Sequence, residues 1–337
     1  EGISPSIKEY QHVINTVVGK IRAYDKNHML IIEEAILPDR TKELILFHDR
    51  NILYSIHFFY PPEFSFYATT TGRPLVTYPG EMVVAGETIY EKKSKMMNGT
   101  AGWRQVRIQA TPPDGAEILL VRISSEGNRG RLWVDDVHLS IDGKPIDLPA
   151  PLIANNSFET DYPGFVWDTS TACVAISEQF ARTGKRSLTF SECTAPSFAQ
   201  SSPLPAKKGA YVLTAWYRTE NATGDNALSL SWHKKKIIAH VDRRSLQERL
   251  HYALNFRESN HVPLYIGEFT AHANPSKESI TNYLRDILDI MEHEKFHWSF
   301  WEYYSVYPGV GIFTGDDPYI VNQTAFDILS MQMKKRN

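Results

Sequence analysis

Two stretches with a strand–helix rhythm flank a long middle that holds strands alone, and one packed layer cannot serve both patterns. Over residues 7–24 the apolar side chains Ile7, Tyr10, Ile14, Val17, Val18 and Ile21 recur three and four apart. That spacing predicts an amphipathic helix, with Ser4 and Pro5 as its cap and first-turn proline. Residues 29–32 and 52–59 are short apolar runs of the kind buried in parallel sheets, and residues 41–47 between them read as a short helical crossover. The alternation returns at the other end, with strands at 262–269 and 297–304 and helices at about 244–258, 276–293 and 323–334. From about Gly80 to Trp232 the pattern is one of short strands (104–110, 116–124, 132–141, 186–190 and 210–219) parted by Gly, Pro, Asn and Asp turns. The chain therefore divides into 1–79, 80–236 and 237–337, an α/β unit interrupted by an all-β sandwich. No period of about 20–50 residues repeats, which argues against a solenoid.

Composition narrows the partners. With 337 residues, 42% of them hydrophobic and 22% charged, and a net charge of −3, the chain can bury two cores and has no signature of disorder. It gives a nucleic acid or an anionic membrane surface no field to bind to, and no apolar run reaches the about 20 residues that span a bilayer. Cys173 and Cys193 are spaced to permit one disulfide in an oxidising compartment. The first residues carry neither a methionine nor the pattern of a signal peptide, so an upstream segment is expected.

Four segments of the outer stretches carry chemistry. Tyr54-Ser55-Ile56-His57-Phe58-Phe59-Tyr60-Pro61-Pro62 closes a strand with a histidine, and Pro263-Leu264-Tyr265-Ile266-Gly267-Glu268-Phe269 closes one with a carboxylate. Trp298-Ser299-Phe300-Trp301 ends a further strand, and Ile21-Arg22-Ala23-Tyr24-Asp25-Lys26-Asn27-His28 leads into an earlier one. Barrels place their catalysis at such strand ends. A retaining glycosidase needs two carboxyl groups about 5–5.5 Å apart, one forming a glycosyl-enzyme and one alternating as acid and base. Glu268 suits the first role, and an aromatic plane at a barrel mouth suits the apolar C–H face of a sugar.

Over residues 1 to about 78 and about 237 to 337, this set resembles glycoside hydrolase family 5, the cellulase-like retaining β-glycanases. The resemblance implies a (β/α)8 barrel in which 52–59, 264–269 and 298–303 are strands six, seven and eight. It makes Glu268 the nucleophile, His57 the strand-six histidine and Trp301 the sugar-stacking tryptophan, with no cofactor for catalysis. Where that family has a tyrosine two residues after the histidine, this chain has Phe59, and Tyr60, one place later, is kept as a substrate contact.

The residues outside 80–236 number about 180, against about 250 for a complete (β/α)8 barrel. The expected fold is therefore the C-terminal half of a TIM barrel, strands five to eight, interrupted by a β-sandwich (jelly-roll) insert. In the family the acid/base glutamate ends strand four, which by this count falls just before Glu1. That group and the missing N-terminal half-barrel are expected from the same or a second polypeptide.

The insert has a resemblance of its own. Gly102-Trp103-Arg104, Pro113-Asp114-Gly115-Ala116 and Leu132-Trp133-Val134-Asp135-Asp136-Val137 are similar to the closing half of a jelly-roll carbohydrate-binding module. Leu152-Ile153-Ala154-Asn155-Asn156-Ser157-Phe158-Glu159, Thr183-Gly184-Lys185-Arg186-Ser187-Leu188 and Tyr211-Val212-Leu213-Thr214-Ala215-Trp216-Tyr217 are similar to its opening half. The reversed order implies a circular permutation joined through residues 142–151. The resemblance also implies a structural calcium held by Asp135, Asp136 and Glu159. Lys234-Lys235-Lys236 reads as a solvated junction.

The function expected is a secreted retaining endo-β-1,4-glycanase of the cellulase type acting on plant cell-wall polysaccharide, with a β-glycan as its partner and neither nucleic acid nor membrane. A non-catalytic glycan-binding protein or an inactive barrel fragment is the alternative. A mannanase or xyloglucanase of the same family would differ only in its subsite residues.

Overall fold

The computed structural model describes residues 6–36, 42–65, 75–146, 157–159, 167–169, 172–271, 276–305, 311–314 and 320–336. The chain mixes helix and sheet, with most strands in antiparallel sheets, and no described helix is long and apolar enough to cross a membrane. It separates into two compact units. The first comprises Glu1–Phe66, Asp242–His272 and Ile280–Asn337, and the second Tyr67–Val241 with Ala273–Ser279.

In chain order, α1 (Ile7–Tyr24) leads to β1 (Leu30–Glu33), β2 (Ala35–Ile36), β3 (Lys42–Glu43), β4 (Ile52–Phe58) and a single turn, α2 (Pro62–Ser65). The helix is capped by Ser6, whose hydroxyl accepts from the Glu9 amide at 3.2 Å; Ser4 and Pro5, the cap expected from sequence, lie outside the described residues. Its apolar stripe is not covered, since Val13, Val17 and Ile21 remain 54%, 45% and 38% exposed. Residues 42–47 are not the helical crossover read from sequence: β3 pairs antiparallel with β2, and Phe47 donates its amide to the Tyr54 hydroxyl at 3.0 Å. The reason is local chemistry, because Lys42 is drawn to the Glu34 carboxylate and the His57 carbonyl.

The second unit holds β5 (Leu75–Val76), β6 (Gly80–Lys95), β7 (Gly99–Ala110), β8 (Ile118–Glu126), β9 (Arg131–Ile141), β10 (Lys144–Pro145), β11 (Trp167–Thr169) and β12 (Val174–Ser177). It continues with β13 (Ser187–Ser191), β14 (Ser197–Ser201), β15 (Leu204–Pro205), β16 (Tyr211–Ala222) and β17 (Asp225–Val241). One sheet runs β12-β13-β9-β16-β7 and the other β11-β14-β8-β17-β6-β5. Both sheets mix strands from before residue 142 with strands from after 166, so each sheet is built from both halves of this stretch. Strand alternation sends Val106, Ile108, Leu132, Val134, Leu213 and Ala215 of one sheet and Leu119, Val121, Ile123, Leu228 and Leu230 of the other into one core. Each fully buried side chain of this size stabilises by about 1.5–3 kcal/mol. Cys173 and Cys193, on the edge of that core, are joined in a disulfide. Lys234, Lys235 and Lys236 are not a junction but the exposed middle of β17, paired with β6.

The chain returns to the first unit through α3 (Arg243–Asn260), β18 (Leu264–Phe269), α4 (Lys277–His293), β19 (His297–Trp298), β20 (Tyr304–Ser305), β21 (Phe313–Thr314), β22 (Ile320–Val321) and α5 (Gln323–Arg336). A capping box between Asp242 and Ser245 starts α3, and Leu246, Leu250 and Ala253, four and three apart, are buried on one of its faces. The run 297–304 is shorter as a strand than its sequence predicts: β19 stops at Trp298, and β20 joins a separate sheet with β21 and β22. The four strands β1-β4-β18-β19 form a parallel sheet. Tyr54, Ile56 and Phe58 alternate with Leu53, Ser55 and His57 along β4, and Tyr54 meets Phe256 of α3 edge to face at 5.1 Å. One face of the sheet is therefore packed on helix, and the other carries His57.

A candidate active site at the ends of three parallel strands

Glu268 reaches His57 through an irregularity in β18. Leu264 pairs with Tyr54 and Ile266 with Ile56, but Glu268 pairs with His57, so Gly267 is an extra residue in the ladder. Without it, alternation would place Glu268 on the face of the buried Leu264 and Ile266; with it, Glu268 shares a face with His57 and Phe269 resumes the core. Glycine fits the space, since a Cβ at 267 would stand 2.5 Å from Ser55 Oγ and force that hydroxyl to move. The result is a Glu268 Oε2 to His57 Nδ1 contact of 3.3 Å between a buried ring and a carboxylate 24% exposed.

The other ring nitrogen of His57 also meets a carboxylate: Nε2 lies 3.2 Å from Glu33 Oε1 at the end of β1. Sequence reading missed Glu33, and it missed Glu34 beside it. The Glu34 side chain is 3% exposed and its Oε1 accepts from Lys42 Nζ at 2.6 Å and from the His57 amide at 3.0 Å. Its Oε2 accepts from the Tyr252 hydroxyl of α3 at 2.5 Å. Lys42 Nζ in turn donates to the His57 carbonyl at 2.9 Å. Strand β1 has ended by this level, so a carboxylate and an ammonium take the places of the ladder partners that the His57 backbone would otherwise lack. Burial and the Glu34 charge push the Tyr252 hydroxyl far above its ordinary pKa, and Tyr10, which donates to the Glu33 carbonyl, is pushed up to about 12 by burial and then by the charges of Glu33 and Glu34.

The tryptophans after β18 divide by layer. Trp298 packs edge to face on Phe269 at 5.6 Å and donates Nε1 to Glu292 at 3.0 Å. Phe300 packs on the same ring at 5.5 Å, while Trp301, tied to the Phe269 carbonyl by its amide at 2.8 Å, stays 39% exposed. Trp301 is the one of the three with a plane open to a ligand. Tyr60 is not brought to Glu268 by any described contact; its ring meets Phe58 at 6.5 Å and the Arg249 guanidinium at 5.8 Å, while the ring of Phe59 meets His57 at 6.2 Å. An open groove of about 340 Å³ is lined by Tyr10, Ile14 and Val17 of α1 and by Ile31, Glu33 and His57. That volume falls within the about 300–1,000 Å³ of small-ligand sites.

The acids expected to hold calcium belong to the second unit and are engaged by protein donors. β9 carries one extra residue between the positions opposite Trp216 and Thr214, and Asp136 sits there in the left-handed region at φ 49. Asp135 accepts from the amides of Asp136 at 2.8 Å and Arg182 at 2.7 Å, and Asp136 from Arg182 Nη1 at 2.7 Å and Thr183 Oγ1 at 2.5 Å. Glu159 accepts from the amides of Lys185 at 3.0 Å and Arg186 at 3.1 Å. Burial raises Asp135 to about 6 despite those amides. Calcium takes 6–8 oxygen ligands, and here it would have to displace an arginine and several N–H groups, so the three residues do not fit the ion. Among the described residues no cluster of three or more His, Cys, Asp or Glu is arranged to hold a metal.

No protein-family model matches the chain, and no curated protein matches its sequence significantly.

Proposed function

We propose that the protein is a retaining endo-β-1,4-glycanase of the cellulase type in which Glu268 is the nucleophile. The observation that carries this reading is the partly exposed Glu268 carboxylate 3.3 Å from the buried His57 ring at adjacent parallel strand ends. A glycosyl-enzyme needs a carboxylate held at one angle to the anomeric carbon, and a fixed histidine beside it supplies that constraint. Trp301, half exposed beyond the end of β18, is the plane on which a sugar ring stacks. The general acid/base comes from a segment outside these 337 residues, belonging to an N-terminal half of a (β/α)8 barrel that continues the β1-β4-β18-β19 sheet. The exposure of Ile31, Val13 and Val17, 45% or more each, supports such a continuation, because neighbouring exposed apolar side chains mark a surface for another segment to cover. The antiparallel unit is read as one circularly permuted jelly-roll carbohydrate-binding module, supported by the mixing of strands from its two halves within each sheet. The disulfide supports an extracellular or periplasmic setting.

The test is hydrolysis of a soluble β-1,4-glucan, followed by the anomeric configuration of the first product. The enzyme carrying its upstream half is expected to turn over with retention, and Glu268→Gln to lower turnover by orders of magnitude while glycan binding survives; these 337 residues alone are expected to be inactive. Inverted product, or a Glu268→Gln variant with undiminished turnover, would overturn the assignment. A second reading, glycan binding without hydrolysis, is favoured by the position of Glu33: the carboxylate opposite Glu268 has the His57 ring between them, not a gap for a glycosidic bond. Binding with no turnover from the complete enzyme would select it.

A further inference from the structure

We infer that Glu33 is a positioning residue that holds the His57 ring from the side opposite Glu268. Both ring nitrogens face carboxylate oxygens, Nε2 at 3.2 Å from Glu33 and Nδ1 at 3.3 Å from Glu268. The Nε2–Glu33 contact has the geometry of a hydrogen bond, whereas the Nδ1–Glu268 approach is an ion-pair contact. Glu33 is therefore the carboxylate that fixes the orientation of the ring, and Glu268 is the one the oriented ring faces.

The backbone that carries the ring is held on both sides, by Glu34 at the His57 amide and Lys42 at its carbonyl. The Glu33 side chain is 55% exposed and lines the open groove. Glu33 does not flank a substrate bond with Glu268, since the ring fills the space between them; it acts on Glu268 through His57. The catalytic consequence rests on the reading of Glu268 as the reacting carboxylate, whereas the ring contact does not.

The experiment is long-range proton–nitrogen NMR of the histidine rings in the full chain, His57 being assigned by its loss in His57→Gln. Glu33→Gln is expected to shift both His57 ring nitrogens without changing thermal unfolding, because the replaced side chain is mostly in solvent. In the complete enzyme the same variant is expected to lower kcat by up to about 100-fold with KM little changed, as misplacement of a reacting group does. Ring resonances identical to wild type would overturn the inference whether or not the protein hydrolyses glycans. Shifted resonances with an unchanged kcat would overturn the positioning role. If no glycan is hydrolysed even by the complete enzyme, the glycanase reading fails while the resonances still decide the contact.

Discussion

Glu34 is buried, and among the described residues its carboxylate accepts from an ammonium, a phenol and a backbone amide. Taking one partner from a buried, hydrogen-bonded charge pair leaves the other charge uncompensated and costs about 3–5 kcal/mol. Glu34→Leu is therefore expected to destabilise by about that amount in denaturant titration of the first unit, and a loss under 1 kcal/mol would show that Lys42 and His57 find other partners. Asp135 makes the opposite kind of case, a buried acid whose fold favours the protonated form. Burial raises it from 3.8 to about 6, so its contribution to stability is fully present below 3.8 and is lost as pH rises through 6. Asp135→Asn cannot lose a proton, so its melting temperature relative to wild type is expected to improve as pH rises across that window. A difference between the two proteins that is flat from pH 3.5 to 7 would refute the raised value.

The β18 irregularity shows how one residue inside a strand decides chemistry. Gly267→Ala would bring a methyl to 2.5 Å from Ser55 Oγ, and overpacking of this kind costs about 1–3 kcal/mol. Removing the obstructing hydroxyl first should reduce that cost, so Gly267→Ala is expected to destabilise Ser55→Ala less than it destabilises wild type; equal effects in the two backgrounds would mean that the strand itself moves. Elements with a strong internal period were readable from sequence: the 3.6-residue repeat announced α1, α3 and α4 because each buries, or offers, one face. The long strands β6 and β17 escaped notice because Lys92, Lys93 and Lys95, and Lys234 to Lys236, interrupt their hydrophobic alternation where those stretches are exposed. The candidate site was half legible for the same kind of reason. Glu268 and His57 sit in distinctive strand ends, whereas Glu33 and Glu34 look like surface acids until β1 pairs with β4 and Tyr252 arrives from 218 residues away.

Each of the two units has its own core, so heat should undo them as separate cooperative systems. The disulfide offers a way to tell the transitions apart, because Cys173 and Cys193 both lie in the antiparallel unit and their separation is 20 residues. Closing a loop of that length removes chain entropy from the unfolded state worth about 3 kcal/mol at 25 °C. In a domain of 150–250 residues each kcal/mol corresponds to roughly 2–4 °C, so the paired replacement Cys173→Ala with Cys193→Ala should lower one calorimetric transition by roughly 6–12 °C. The other transition should stay in place, and Glu34→Leu should move that one and not the first. A single transition that both variants shift together would mean that the parallel and antiparallel units unfold as one system, and that the sandwich contributes to the stability of the candidate site as well as carrying its own fold.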